Sequence, residues 1–250
     1  MPRAFQQWTV LPHGRLTQVD ENIVTVVGDI HMPVGDFPRR MTIVRLADRR
    51  LVIYSAIALD DPEMEALERF GVPAFRIVPG DLHRLDAKIW KDRYPALRVV
   101  APRGACKKVE DVVHVDATYV DFGDPNVALV EVSGTEGREA ALVVSTPSGT
   151  TLIVNDIIAN MPERKGFGGW FLHLVGFTGN GPRVPRIVKR KIVRDAAALR
   201  RQFEGWAAMS PLRRIIVSHG SAIEREPARV LRRLASAVDG LRSRPSISND

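Results

Sequence analysis

Residues 151–156 read Thr-Leu-Ile-Val-Asn-Asp, and residues 216–220 read Ile-Val-Ser-His-Gly. Each stretch is a short apolar run rich in β-branched residues, which favours a buried strand. Each run then stops at a side chain that can bind a metal or move a proton, Asp156 in the first and His219 in the second. Because ligands gather where the strands of an α/β sheet end, both residues are candidates for a functional site.

A third polar loop, residues 79–86, reads Pro-Gly-Asp-Leu-His-Arg-Leu-Asp and follows a strand predicted over 74–79. It offers His83 and Asp86, and we predict a helix over about 82–93 on which these residues, three apart, share a face. Histidine and carboxylate together suit Zn²⁺, Mn²⁺ or iron. Each residue also has a structural interpretation: Asp81 or Asp156 could cap a helix, and His219 could belong to a turn.

The order of elements around these stretches indicates the fold class. We predict strands at 22–30, 41–46, 51–57, 74–79, 97–102, 127–132, 139–144, 151–154 and 213–218, and helices at 60–71, 82–93, 166–177, 195–208 and 224–238. Alternation of strands and helices, with a β-meander in the middle, favours an α/β (α+β type) four-layer αββα sandwich with mixed sheets. We expect one domain over residues 1–241 and a disordered tail over 242–250.

This order resembles the metallo-β-lactamase superfamily: an early hairpin, a histidine-bearing loop, a meander ending in Asp and a late strand ending in His-Gly. The segments at 40–46 and 51–57, with Ile77-Val78-Pro79, Leu82-His83, Trp90 and Tyr94-Pro95, are similar to one branch, a domain of unknown function found in bacteria and plants. The resemblance covers residues 20–160 well and the rest loosely. It implies that Asp156 and His219 are metal ligands.

The departures from the family pattern concern the metal ligands. The family loop is His-x-His-x-Asp-His, whereas the equivalent loop here offers only Asp81, His83 and Asp86. A further family histidine would fall near residues 133–136, where Glu136 is the nearest substitute. The resemblance therefore implies an incomplete site with one divalent metal (Zn, Mn or Fe) on His83, Asp156 and His219, with Asp86 or Glu136 as an additional ligand, or no metal at all.

Composition bounds the location and the partners. The chain has 250 residues and a single cysteine, Cys106, so it cannot form an intramolecular disulfide. No apolar run reaches the length of a membrane span, and we expect a cytoplasmic protein. The formal net charge is +7, and the residues from Arg183 to Arg244 carry sixteen Lys/Arg against five Asp/Glu. Such a basic C-terminal third could bind nucleic acid, an anionic lipid surface or an acidic partner, or could simply be solvated.

Three functions follow from these features. The first is a metal-dependent hydrolase of a small-molecule substrate, with Asp156 and Asp86 as catalytic carboxylates: Asp156 binds the metal, and Asp86 orients a ligand or acts as a base. The second is a binding protein that kept the fold and lost the metal site. The third is a nucleic-acid-processing protein. The resemblance implies that the apolar segment 166–177 shapes a substrate pocket or an oligomer interface; alternatively, it is an ordinary buried helix.

Overall fold

A computed structural model describes residues 3–32 and 35–238. The predicted tail at 242–250 lies outside these residues. The strands are β1 (Thr17–Asp20), β2 (Ile23–Met32), β3 (Gly35–Arg45), β4 (Arg50–Tyr54), β5 (Val72–Ile77), β6 (Arg98–Val100), β7 (Val127–Glu131), β8 (Ala140–Thr146), β9 (Gly149–Val154) and β10 (Leu212–Val217). The helices are α1 (Asp61–Phe70), α2 (Ala87–Arg93), α3 (Cys106–Glu110), α4 (Gly166–Val175), α5 (Arg186–Lys191), α6 (Ala196–Ala207) and α7 (Pro227–Val238).

The strands form two mixed sheets. The first has the order β1-β2-β3-β4-β5-β6, antiparallel through β4 and parallel from β4 to β6. The second has the order β10-β9-β8-β7. The predicted meander, β7-β8-β9, is antiparallel, and β10 adds in parallel to β9. A parallel pair needs a long crossover, and the 57 residues between Val154 and Leu212 supply it.

Alternation along the strands produces four layers. Ile153 packs between the sheets with Tyr54 and Leu142, whereas its neighbours Leu152 and Val154 face outward. The outward face of the second sheet is covered by apolar side chains of α6 and α7, including Leu199, Phe203, Trp206 and Leu231. The outward face of the first sheet is covered by α1 and α2 through Met64, Leu67, Ile89 and Trp90. The predicted αββα sandwich with mixed sheets is confirmed.

Local signals set several helix ends. The Asp60 side chain accepts a hydrogen bond from the backbone N–H of Glu63, and Pro62 lies in the first turn of α1. Asp195 caps α6 in the same way through the N–H of Ala198 at 2.9 Å. No helix in the described part of the chain is long and apolar enough to cross a membrane.

The prediction of a helix from residue 82 is wrong. Residues 82–86 form two successive turns, in which the N–H of His83 donates to Gly80 and that of Ala87 to Arg84, and α2 begins only at Ala87. Asp86 therefore precedes the helix, and no helical face is shared with His83. The alternative interpretation of Asp156 as a helix cap does not hold, because residues 157–161 form turns and isolated bridges.

Candidate functional site

The strand order of the sandwich brings three loops together at one edge. Val154 of β9 pairs with Val217 of β10 in a parallel register. Asp156 lies two residues after Val154, and His219 lies two residues after Val217. The two side chains therefore lie at the same edge of the second sheet, at matching positions beyond the ends of β9 and β10. His83 reaches them from the first sheet, six residues after the end of β5.

The three side chains present one ligand atom each toward a common point. His219 Nε2 lies 3.0 Å from Asp156 Oδ1 and 3.2 Å from His83 Nε2. His83 Nε2 lies 3.4 Å from the same Asp156 oxygen. Among the described residues, these three side chains form a group whose geometry could hold a metal ion.

Burial and charge determine the protonation of this cluster. The side chains of His83, Asp156 and His219 are 8%, 3% and 4% exposed. Burial opposes ionisation of Asp156, but the charges and hydrogen bonds of His83 and His219 hold the pKa of its carboxyl well below the ordinary value. Burial lowers the pKa of His83, although Asp156 opposes this shift. Near neutral pH the cluster thus offers a carboxylate and an unprotonated His83, which are the forms that bind metals.

Hydrogen bonds at the far side of each ring orient the two histidines. His219 Nδ1 donates to the Pro38 carbonyl at 2.8 Å, so its Nε2 carries the lone pair that faces the cluster. His83 Nδ1 is hydrogen-bonded to Ser55 Oγ at 2.7 Å, which turns Nε2 of this ring toward Asp156. Metal-binding histidines in proteins are oriented by contacts of this kind.

Ser55 is a site residue that sequence reasoning did not assign. It follows the last residue of β4 and has a φ of +58°, an uncommon conformation for a residue other than glycine. Its backbone N–H remains bound to the Ile77 carbonyl, which holds the turn against β5. The positive φ is the one local feature that points to a functional role, and it cannot be read from the residue type.

Aromatic rings complete the surroundings of His219. Its ring centroid lies 4.4 Å from that of Phe37 and 5.5 Å from that of Phe177, the latter edge-on. Phe37 and Phe177 also contact each other at 5.2 Å. These apolar contacts restrict the rotation of the imidazole and exclude water from one side of the cluster.

Asp86 does not join the cluster. Its carboxylate forms a buried ion pair with Arg39, with one short contact and one of 3.5 Å, and accepts the backbone N–H of Ala58 at 3.0 Å. Arg76, fully buried and without a hydrogen-bond partner for its guanidinium among the described residues, is also stabilised by the Asp86 charge. Burial nevertheless lowers the pKa of Arg76 to about 10. Asp86 therefore neutralises buried cations beside the cluster.

The two other carboxylates considered as ligands also lie elsewhere. Asp81 is buried and ion-paired with Lys108 and Arg138, both at 2.6 Å. Glu136 is exposed and lies 3.7 Å from Arg194.

A further carboxyl, Glu139, was not predicted from the sequence. It is fully buried, and burial together with the negative charge of Asp156 raises its pKa well above the ordinary value. Asn155 donates to Glu139 Oε1 at 3.3 Å. Gly80 makes room for this pair, because a Cβ at that position would lie 2.5 Å from the same oxygen. The cluster is thus backed by a carboxyl that favours its neutral form.

The cluster lies at the wall of a cleft of about 980 Å³. Asp156, His83 and His219 line it together with Ser55 and Arg39. Its other walls are mainly apolar and include Phe37, Leu82, Phe171, Leu172, Val175, Phe177 and Ile187. The predicted pocket-shaping role of segment 166–177 agrees with this geometry, since Phe171, Leu172 and Val175 belong to α4. The cleft is large enough for a small-molecule ligand.

Comparison with solved structures identifies the fold. The chain is similar to the metallo-β-lactamase FIM-1 from Pseudomonas aeruginosa in the mono-zinc form, with 13% identity over 91% of this chain and 96% of that chain and a TM-score of 0.59. It is also similar to the metallo-β-lactamase DIM-1 exposed to ceftazidime (12% identity, 92% and 99% coverage, TM-score 0.60). A metallo-β-lactamase from Hirschia baltica matches with 11% identity, 88% and 97% coverage and a TM-score of 0.56.

The sequence itself gives no comparable match. No protein-family model matches the chain, and no curated protein is similar to it in sequence. The chain therefore has the metallo-β-lactamase fold, while at 11–13% identity the likeness concerns the fold alone.

Proposed function

We propose that the chain is a metal-dependent hydrolase that holds one divalent ion on His83, Asp156 and His219. The observation that carries the proposal is the triangle of their ligand atoms, with sides of 3.0, 3.2 and 3.4 Å. Ligands placed tetrahedrally at about 2.0–2.1 Å from zinc are roughly 3.3 Å apart. The side chains thus fit a zinc-sized ion with a fourth position left for water or substrate.

The donor set also fits this chemistry. Two imidazoles and one carboxylate suit Zn²⁺, Mn²⁺ or iron better than Mg²⁺ or Ca²⁺, which prefer oxygen. A bound ion of this type lowers the pKa of a water molecule and polarises a carbonyl or phosphoryl group. The FIM-1 structure with the same fold is of a mono-zinc form, which supports a single-ion site in this architecture.

The residues of this chain then have distinct roles. Asp156 and the two histidines bind the ion, and Ser55 and the Pro38 carbonyl fix the imidazoles in the orientation that binding needs. Asp86 does not act as a base in this proposal, since its oxygens are occupied by Arg39 and the Ala58 N–H. It is a positioning residue that holds Arg39 at the cleft wall, where the guanidinium can orient a carbonyl or phosphoryl oxygen.

The substrate class follows from the cleft. Its mainly apolar walls favour a small molecule that carries an apolar group next to the ester, thioester, amide or phosphoester bond to be hydrolysed. The single cysteine and the absence of a membrane-spanning helix among the described residues support, as a further part of the proposal, a cytoplasmic location.

The test is elemental analysis of protein purified without chelator, followed by zinc titration of the chelator-treated protein. We expect one ion per chain, and we expect His219→Ala and Asp156→Ala to lose it. His173→Ala serves as the matched control, because His173 is half-exposed, pairs with Glu163 at 3.8 Å and should not affect binding. If the wild-type chain holds no stoichiometric Zn²⁺, Mn²⁺ or iron even after addition, the proposal is rejected.

The binding-protein interpretation predicts different geometry. A chain that had lost the site would have its histidines far apart or its cleft filled by side chains. Instead, the Nε2 atoms of His83 and His219 lie 3.2 Å apart, and both side chains line an open cleft. Metal analysis together with hydrolysis of model esters after addition of Zn²⁺ or Mn²⁺ decides between the two functions, because a binding protein that has lost the metal site would hold no stoichiometric ion and show no turnover.

A further inference from the structure

Helix α4 is apolar on two stripes. Phe171, Leu172 and Val175 line the cleft. A second stripe at the spacing i, i+3, i+7 consists of Phe167, Trp170 and Leu174, which are 70%, 58% and 53% exposed. Large apolar side chains at helical spacing normally face a protein core, whereas this stripe faces solvent.

The exposed rings are arranged as one surface. Phe167 and Trp170 stack with their centroids 5.7 Å apart and their planes 30° apart. Tryptophan and phenylalanine on an exposed helix face are typical of side chains that enter the boundary between lipid headgroups and acyl chains. We call Phe167, Trp170 and Leu174 the exposed stripe.

The charge around the exposed stripe is mainly positive, and Glu163, which lies 3.8 Å from His173, is its acidic neighbour. From Arg164 to Arg194 the sequence contains eight Lys/Arg and no Asp or Glu. Lys165 immediately precedes α4, and Arg186 of α5 donates to the carbonyl of His173 near the other end of the helix, at 3.3 Å. Cations therefore flank the exposed stripe at both ends, and the nearest acidic residue along the chain is Glu163.

We propose that the exposed stripe and its flanking cations dock the protein on the surface of an anionic lipid bilayer. Apolar and aromatic side chains would enter the interface, while Lys165 and Arg186 would contact anionic headgroups. The charge pattern favours this occupant over a second copy of the chain, since two such surfaces would bring like charges together. The ring arrangement favours a bilayer over single-stranded nucleic acid, because Phe167 and Trp170 stack on each other and their facing sides are not available to bases.

The proposal does not depend on the hydrolase function, and it can be tested on metal-free protein. The probe is vesicles of phosphatidylglycerol and phosphatidylcholine (1:1), compared with vesicles of pure phosphatidylcholine, in a co-sedimentation assay. We expect at least about tenfold stronger binding to the anionic vesicles at low salt, and weaker binding as salt rises. Trp170 gives a second signal, because it is 58% exposed, whereas Trp90 and Trp206 are buried and Trp8 is half-buried. A blue shift of the emission that Trp170→Ser abolishes reports entry of Trp170 into the interface.

Matched variants separate the two components. Phe167→Ser with Trp170→Ser should reduce vesicle binding at least about tenfold, whereas Tyr119→Ser, which removes a ring that is 68% exposed, should not change it. Lys165→Gln with Arg186→Gln should also reduce binding, whereas Arg225→Gln with Arg229→Gln, two exposed cations at α7, should not. All of these side chains are exposed, so we expect each variant to fold. An unchanged thermal unfolding transition checks this expectation.

Several results would overturn the proposal. Equal binding to both vesicle types, or no binding to either, removes the anionic bilayer as the occupant. A dimer in analytical ultracentrifugation that Phe167→Ser with Trp170→Ser dissociates would show that the surface joins two copies. Retention on a DNA oligonucleotide that the same two substitutions abolish, without vesicle binding, would assign the surface to nucleic acid.

Discussion

Ser55→Ala tests whether the hydrogen bond behind His83 makes the cluster a metal site. The substitution removes the 2.7 Å contact from Ser55 Oγ to His83 Nδ1 and keeps the Cβ at the same positive φ. Loss of such an orienting partner typically weakens metal binding 10–100-fold. This corresponds to about 1.4–2.7 kcal/mol of binding free energy.

The assay is competition with a chromophoric zinc chelator at pH 7.4. Ser218→Ala is the matched control: Ser218 is a buried serine next to His219, and its hydroxyl has no hydrogen-bond partner among the described residues. It should leave the dissociation constant of zinc within about twofold of the wild-type value. If Ser55→Ala binds zinc as tightly as the wild type, or Ser218→Ala weakens binding equally, the orienting role of Ser55 is wrong.

Three further predictions concern stability and substrate preference. In Asp86→Ala the buried Arg39 loses its counter-ion, so we expect a loss of about 3–5 kcal/mol in the free energy of unfolding by urea, with a smaller loss in Asp86→Asn. The pKa of Glu139 is higher in the folded than in the unfolded chain, so stability is lost as pH rises through the folded pKa; metal-free Glu139→Gln should show a flatter decline in unfolding free energy between pH 5 and 9. If the proposed hydrolase activity is found, the zinc-loaded protein should have a kcat/KM at least about tenfold higher for p-nitrophenyl octanoate than for the acetate, and Val175→Ser should reduce this ratio; equal values for the two esters would contradict an apolar acyl site.

The sequence predicts the architecture where periodicity and capping act locally. Ala196, Leu199, Phe203 and Trp206 stand at helical spacing in the sequence, and they form the buried face of α6. The meander follows from turn residues between β-branched runs. The long crossover permits the parallel pairing of β9 with β10 but does not specify it. The expectation that Asp156 and His219 share one site comes from the strand-end rule and from the family resemblance.

The surroundings of the site depend on contacts that are remote in sequence. Arg39 lies 47 residues before Asp86 in the sequence, so local spacing gives no sign of their ion pair. From local spacing alone, Asp86 is predicted to lie on a helix. Pro38 orients His219 from 181 residues away through a backbone carbonyl, which no residue type encodes. Ser55 acts because of its backbone conformation. Candidate ligands at strand ends can therefore be predicted from the sequence, whereas the groups that orient their side chains cannot.

For the proposed metal site, the Asp86–Arg39 pair favours one ion over two. A second dication beside Asp86 would have to displace Arg39, which is only 5% exposed and would then be a buried cation without a counter-ion. That loss costs about 3–5 kcal/mol before any repulsion between the two ions is counted. Asp86 also stabilises the buried charge of Arg76, so withdrawing the Asp86 carboxylate would destabilise two buried cations, Arg39 and Arg76. Arg39 thus supplies a fixed positive charge beside the cluster, and the remaining carboxylate, Asp156, matches a single metal with two imidazoles.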